Sequence, residues 1–175
     1  EAARREGARM IFASSNHAIG FHARSEVLDD DCGLAPDGYY GLSKAYGELM
    51  GGLYRDKHGV ESVFLRIGSC FPEPTDARML ATWLSYADLT RLITRATLAP
   101  DLGPTGSVVI WGASNNSRMT WWRKDGRAVI GWAPQDSADS HAAALEGKTS
   151  GNPVVERYQG GGFTAIDYSR AEPPR

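Results

Sequence analysis

The sequence predicts an α/β fold built on a doubly wound parallel sheet, in which short strands alternate with helices. Apolar runs over residues 8–13, 62–67 and 107–111 are typical of strands in such a sheet. Helical patterns lie between them, over residues 40–58 and 85–98. Strands that alternate with helices along the chain favour parallel pairing, because each helix returns the chain to the same edge of the sheet.

The sequence is predicted to begin in the middle of an α/β unit, with a helix end followed at once by a strand. Residues 1–7 have the character of a helix end, and the strand over residues 8–13 leads into the serine pair Ser14 and Ser15. No Gly-rich phosphate turn opens a helix here, and the glycine run 160–162 is interpreted as a flexible turn. We therefore expect a fragment, the C-terminal part of such a sheet, whose first βαβ units are missing.

The helix over residues 40–58 ends before Gly59, a residue type suited to the position just after a helix. Gly47, Gly51 and Gly52 weaken the helix by about 1 kcal/mol each relative to alanine. Small residues there would let another helix approach closely, as at a dimer interface. The apolar positions at helical spacing are Leu42, Tyr46, Leu49, Met50, Leu53 and Tyr54.

The second half of the chain is less regular. Ser85 and Asp88 have the spacing of a capping box, which predicts a helix start at this point. Residues 112–132 are polar and irregular, a short helix is expected over 136–145, and the Gly/Pro-rich tail from Lys148 is expected to wrap the surface.

Composition restricts the class of protein. The chain has 175 residues, the size of one domain, and a net charge of −2, which argues against nucleic acid and acidic membranes as partners. Cys32 and Cys70 form no metal-binding spacing, so no metal site is expected. The absence of an apolar span or signal segment predicts a cytoplasmic protein.

Candidate catalytic residues lie at the start of the first long helix. Tyr40 and Lys44 are four residues apart and share a helix face. A phenol is mostly protonated at neutral pH, but a nearby ammonium favours the phenolate, which would make Tyr40 a general base for an alcohol proton. Ser15, at the carboxyl end of a strand, would hold the reacting oxygen. Removing that proton is useful only if a hydride also leaves, which implies a nicotinamide cofactor.

This combination, with Ser15 twenty-five residues ahead of the Tyr-Lys pair, resembles the extended short-chain dehydrogenase/reductase superfamily. Further motifs of the superfamily's sugar-modifying branch are Ser14–His17, Arg66–Cys70, Pro72–Pro74, Arg78–Trp83, Trp111–Ser114, Trp121–Trp122 and Arg157–Gly161. In these motifs the chain is similar to the family of bacterial uronate dehydrogenases. The likeness implies a partial NAD(P)-binding Rossmann-like domain. Residues 1–70 would supply late strands and the catalytic helix, and residues 71–175 a small substrate lobe, the last strand and the tail.

The resemblance implies NAD-dependent oxidation of galacturonate or glucuronate at C1, giving the aldarolactone. Tyr40 would be the base, and Lys44 would hold the nicotinamide ribose. The complete enzyme would be a homo-oligomer acting on a uronic acid, and this chain alone would have little or no activity. The residues implied to contact the sugar are Ser15, Asn16, His17, Ser69 and Arg78, with Arg78 on the C6 carboxylate. Those implied to contact the cofactor are Tyr40, Lys44, Ile67, Gly68 and Cys70.

Each assignment has a simpler alternative. His17 would also suit a packed, hydrogen-bonded core position, and Cys70 is better explained as a small apolar residue than as a nucleophile. Arg66 is expected to be structural and paired with an unidentified carboxylate, and the tryptophans are expected to pack. Two other functions remain open: a nucleotide-sugar epimerase or dehydratase of the same superfamily, and a non-catalytic relative that senses nucleotides.

Overall fold

The computed structural model describes residues 1–171, so the last four residues of the predicted tail lie outside the described part. The strands are β1 (Met10–Ser15), β2 (Ser62–Ile67), β3 (Ser69–Cys70), β4 (Trp83–Leu84) and β5 (Ser107–Gly112). The α-helices are α1 (Ala2–Glu6), α2 (Tyr39–His58), α3 (Met79–Thr82), α4 (Tyr86–Leu98), α5 (Ala142–Leu145) and α6 (Pro153–Arg157). Four 3₁₀ turns span Asn16–Ile19, Gly126–Ala128, Ala138–His141 and Gly161–Ala165.

The main sheet has three parallel strands in the order β1-β2-β5. Ser15 pairs with Ile67, which in turn pairs with Gly112, so all three carboxyl ends meet at one edge. The predicted α/β class with a parallel sheet is confirmed. Strand β1 differs in detail, because it includes both serines of Ser14-Ser15 and its first half is only partly buried. That first half is partly buried because β1 lies at an edge of the described sheet.

Helix α2 packs closely on one face of the sheet. A Cβ atom added to Gly47 would lie 2.1 Å from the Phe12 ring, and one added to Gly51 would lie 2.5 Å from the Phe64 ring. These two glycines therefore make room for aromatic rings of the sheet. The prediction that they serve the approach of another helix is wrong for both.

The outward face of α2 carries an exposed apolar stripe. The helical spacing of apolar residues in the sequence does not show whether such a stripe is exposed or faces the core. Its members are between 45% and 65% exposed. The buried positions of α2 are small or charged instead, because the sheet's own aromatic rings fill the space beneath them. The stripe consists of Leu42, Tyr46, Leu49 and Leu53.

The opposite face of the sheet is covered by α4. Leu92 and Ala96 pack there against Val63, Leu65 and Ile110. The predicted helix start is confirmed, because the Ser85 hydroxyl accepts a hydrogen bond of 2.9 Å from the backbone N–H of Asp88.

Beyond the carboxyl edge lies a second core around stacked tryptophans. The rings of Trp111 and Trp122 are 5.0 Å apart and nearly parallel, and the Arg66 guanidinium lies 5.1 Å from the Trp111 ring. Arg66 forms an ion pair of 2.8 Å with Glu48 of α2. Glu48 is therefore the carboxylate partner that was expected for Arg66 but could not be identified from the sequence. The predicted packing role of the tryptophans is confirmed by their burial.

The tail does not wrap the surface as predicted. Tyr158, Gln159 and Thr164 are buried, and the Gln159 amide accepts from Trp122 Nε1 at 3.0 Å while donating to two loop carbonyls. The interpretation of the glycine run 160–162 as a flexible turn is also wrong, because its first two residues are buried and it leads into a 3₁₀ turn.

The short helix expected over residues 136–145 is divided into the 3₁₀ turn Ala138–His141 and α5. Within residues 1–171, no helix is both long and apolar enough to cross a bilayer.

Candidate active site

A cavity of about 570 Å³ opens where β1 and β2 end. It lies at the carboxyl edge of the sheet, the place where open α/β sheets bind ligands. The candidate residues come from β1, the first 3₁₀ turn, α2, the end of β2, β3 and the cap of α3. All ten nevertheless line this one cavity: Ser15, Asn16, His17, Tyr40, Lys44, Ile67, Gly68, Ser69, Cys70 and Arg78.

Tyr40 and Lys44 lie in the first two turns of α2. The Lys44 ammonium donates to the Ala13 carbonyl at 2.8 Å, and it lies 5.4 Å from the centroid of the Tyr40 ring. Tyr40 itself is 47% exposed, so its ring is accessible from the cavity. The phenol and the ammonium therefore share one wall, as the helical spacing predicts.

Ser15 and Asn16 form the floor where β1 turns into the first 3₁₀ turn. The Ser15 hydroxyl caps this turn by accepting from the His17 N–H at 3.2 Å. The Asn16 amide is buried and donates to the Ile67 carbonyl at 3.0 Å, in the orientation that its hydrogen-bond partners select. Its oxygen then accepts from Arg78 at 2.6 Å, which ties the floor to the opposite wall.

Arg78 supplies a positive charge on the wall of the cavity opposite the Ser15 and Asn16 floor. Its Nε donates to the Gln159 carbonyl at 2.7 Å and its Nη1 to the Ser69 hydroxyl at 3.2 Å. Burial lowers the pKa of Arg78 to about 10, which still leaves the guanidinium protonated at neutral pH. No carboxylate of the described residues lies within ion-pair distance of it. A partly buried guanidinium with no carboxylate partner is suited to an anionic ligand.

His17 is held between two residues that the sequence did not single out. Its Nδ1 lies 2.6 Å from Asp37 Oδ2, and its ring stacks on Phe163 with centroids 4.0 Å apart. The Tyr40 ring approaches the same imidazole at 5.7 Å. Asp37 is one acidic residue among several in a loop, and Phe163 lies far along the chain. The only sequence signal for Asp37 is its place just before α2.

The wall formed by Ile67, Gly68 and Cys70 is mainly apolar. A Cβ atom on Gly68 would lie 2.2 Å from the Thr82 carbonyl, so this position requires glycine. Cys70 is a free thiol, and burial raises its pKa, which disfavours the reactive thiolate.

These residues fit the nicotinamide end of a dinucleotide. An ammonium has three N–H donors, and Lys44 uses one on Ala13, which leaves two for a ribose diol. The neighbouring wall of Ile67, Gly68 and Cys70 offers a mainly apolar surface for a flat ring.

Comparisons with known proteins agree with this geometry. Residues 1–126 match the family model described as "NAD dependent epimerase/dehydratase family". A uronate dehydrogenase of Pseudomonas syringae pv. tomato is 47% identical over 169 residues, which cover 94% of this chain and 60% of the relative. The chain thus spans about 60% of the length of the relatives it matches.

Two solved structures show the same likeness. A glucuronic acid dehydrogenase from Chromohalobacter salexigens has a TM-score of 0.83 at 45% identity, covering 94% of this chain and 62% of its own. A mutant uronate dehydrogenase from Agrobacterium tumefaciens, in complex with NAD, has a TM-score of 0.83 at 42% identity, covering 93% of this chain and 62% of its own.

Proposed function

The chain belongs to the NAD dependent epimerase/dehydratase family, and on that premise we propose that it carries the catalytic and substrate residues of an NAD-dependent hexuronate dehydrogenase. Its reaction would be oxidation of galacturonate or glucuronate at C1 to the aldarolactone. The observation that carries the proposal is the unpaired Arg78 guanidinium, which shares one cavity with the pair Tyr40 and Lys44. A free sugar acid brings the carboxylate and the anomeric hydroxyl that these groups require.

In this reaction Tyr40 accepts the proton of the C1 hydroxyl as the C1 hydride departs. The ammonium of Lys44 stabilises the phenolate form of Tyr40 electrostatically. The Ser15 hydroxyl donates a hydrogen bond to the same oxygen and fixes its position. NAD⁺, when bound, supplies the hydride acceptor.

Arg78 and Ser69 hold the far end of the sugar. The fork of a guanidinium matches both oxygens of a carboxylate, and here its orientation is fixed by the Gln159 carbonyl and by Asn16. Asn16 and His17 would contact sugar hydroxyls. Residues 67, 68 and 70 would lie against the nicotinamide, and residues 71–175 would form the substrate lobe with the last strand and the tail.

The proposal also covers the location and the assembly of the enzyme. We propose a cytoplasmic enzyme that acts on a small uronic acid and assembles as a homo-oligomer. The exposed apolar stripe on α2 supports assembly, because a contiguous apolar surface is typical of protein interfaces.

The test is the change Tyr40→Phe in the complete protein, with NADH formation from galacturonate as the measurement. Phenylalanine keeps the ring but has no oxygen to take the proton, so kcat should fall by about 100-fold or more while KM changes little. The matched control is Tyr39→Phe, because Tyr39 is 89% exposed and does not line the cavity.

An unchanged kcat in Tyr40→Phe would contradict the proposed base. Turnover of a nucleotide sugar, with none of free galacturonate or glucuronate, would favour the epimerase or dehydratase alternative instead.

A further inference from the structure

Asp37 contacts the candidate site through one residue. Its Oδ2 bonds to His17 Nδ1 at 2.6 Å, and its side chain is completely buried, while the His17 side chain is 14% exposed and lines the cavity. A carboxylate can only accept hydrogen bonds, so a neutral His17 must carry its hydrogen on Nδ1. The opposite nitrogen, Nε2, is then an acceptor, and residues 1–171 give it no hydrogen-bond partner.

Three glycines from separate segments enclose the Asp37 carboxylate. A Cβ atom on Gly20 or on Gly160 would lie 2.0 Å from Asp37 Oδ2, and one on Gly41 would lie 3.0 Å from Oδ1. Gly20 and Gly160 have φ values of −64° and −68°, which any residue adopts easily. Their backbone does not require glycine, so the space that they leave for the carboxylate is the feature that distinguishes them.

Burial of Asp37 has a cost that its hydrogen bonding does not fully offset. Its second oxygen, Oδ1, is buried and has no partner within the described residues. An unsatisfied buried polar atom destabilises a fold, and the cost is larger when the group is charged. A buried carboxylate that is only partly hydrogen-bonded, in a closely fitted space, indicates a functional role. The one side-chain hydrogen-bond partner of Asp37 is His17, which lines the cavity.

The plane of the His17 ring is fixed independently of Asp37. Phe163 packs against the ring with centroids 4.0 Å apart, and the Tyr40 ring forms a T-shaped contact with it at 5.7 Å. These two aromatic contacts restrict the plane of the ring, while the bond to Asp37 restricts the rotation within that plane. An imidazole restricted in this way presents its Nε2 to a ligand in one orientation.

We propose that Asp37 is a positioning residue that keeps His17 as the Nδ1–H tautomer, so that Nε2 accepts a hydrogen bond from a hydroxyl of the bound sugar. The inference rests on the proposed hexuronate dehydrogenase function. The two ends of the sugar are then recognised through different chemical groups. His17 selects a hydroxyl donor, and Arg78 selects the anionic carboxylate. A buried aspartate that fixes a histidine tautomer is a recurrent device in catalytic triads.

The first experiment reads the tautomer directly. In the complete protein, labelled with ¹⁵N-histidine, long-range ¹H–¹⁵N spectra distinguish a protonated from a bare ring nitrogen, and His17→Gln identifies the signals. We expect Nδ1–H and bare Nε2 in the wild type. Asp37→Asn keeps the shape but can offer an N–H to Nδ1, so the hydrogen should move to Nε2. A wild-type ring protonated on Nε2 or on both nitrogens, or a tautomer unchanged in a folded Asp37→Asn, would overturn the proposal.

The second experiment separates positioning from support of the fold. Asp37→Asn should lower kcat/KM for galacturonate about tenfold. The same change should have no further effect in the His17→Gln variant. Additive losses would mean that Asp37 acts elsewhere and would overturn the inference. The matched control is Asp139→Asn, the same change at an exposed site outside the cavity. Should Asp37→Asn fail to fold, the wild-type spectrum still decides the tautomer.

The two readouts also separate this inference from the function on which it rests. A wild-type protein with the Nδ1–H ring but no hexuronate oxidation would overturn the proposed function. Hexuronate oxidation with the opposite tautomer would overturn the inference alone.

Discussion

At the scale of single residues, Arg78 restricts most what the cavity can bind. Its guanidinium is already oriented by the Gln159 carbonyl, the Ser69 hydroxyl and Asn16. Burial lowers its pKa, yet the side chain keeps its charge without an anionic partner in the described part of the chain. Lysine has neither the number of donors nor the planar fork to replace it.

We therefore predict that Arg78→Lys raises KM for galacturonate about tenfold or more, with a smaller change in kcat. An ammonium is a point charge that cannot bind both carboxylate oxygens and also keep three protein contacts. Steady-state kinetics of the complete protein provide the measurement. Arg118→Lys is the control, because Arg118 is exposed, pairs with Glu146 and does not line the cavity. Equal KM values for the wild type and Arg78→Lys would exclude the carboxylate role.

Spacing along the sequence is sufficient to predict Tyr40 and Lys44 on one wall, because four residues make about one turn of the same helix. It is insufficient for Asp37 and Phe163. Their relation to His17 depends on a loop and a distant tail that meet only in the folded chain, and no local pattern marks either residue. The same holds for Glu48, whose partner Arg66 belongs to another element.

At the scale of elements, the predictions that the structure confirms depend on local sequence patterns. The strand over residues 62–67 was predicted to the residue, and the Ser85 cap starts α4 as its spacing indicated. The side of α2 that faces the sheet was not predictable, because an exposed apolar stripe has the same periodicity as a buried one. The sequence pattern could not show that glycines would face aromatic rings.

The cap of α4 gives a stability prediction. Ser85→Ala removes the acceptor for the Asp88 N–H and the hydrogen bond to Asp136, which should lower the free energy of unfolding by about 1–2 kcal/mol. Denaturant unfolding of the complete protein provides the measurement. Thr94→Ala is the control in the same helix, because Thr94 is exposed and bonds only the Thr90 carbonyl. A loss below that of Thr94→Ala would show that the cap contributes nothing.

At the scale of the whole molecule, the apolar stripe of α2 is a surface suited to self-association. Four side chains at helical spacing remain about half exposed, while the opposite face of the helix is closely packed on the sheet. Burying each of them would contribute roughly 1 kcal/mol or more. The three-stranded sheet and its two covering helices could be predicted from the sequence. The exposure of this outward face of α2 could not.

On the proposal of a homo-oligomer, we predict that Leu49→Lys lowers the mass of the complete protein in solution. A lysine in the centre of the stripe would have to lose its hydration for the interface to close. Light scattering over a range of concentrations provides the measurement. Leu98→Lys is the control, because Leu98 is 71% exposed at the end of α4, away from the stripe. If both variants keep the wild-type mass, the stripe is not the interface.

The position of the tail has a consequence for biosynthesis. Arg78 is oriented by the carbonyl of Gln159, a Cβ atom on Gly161 would collide with its side chain, and Phe163 stacks on His17. During translation, Ser15, Tyr40 and Lys44 therefore leave the ribosome well before the segment that completes their surroundings. A nascent chain stalled ahead of residue 159 would contain these groups without the residues that orient Arg78 and pack against His17.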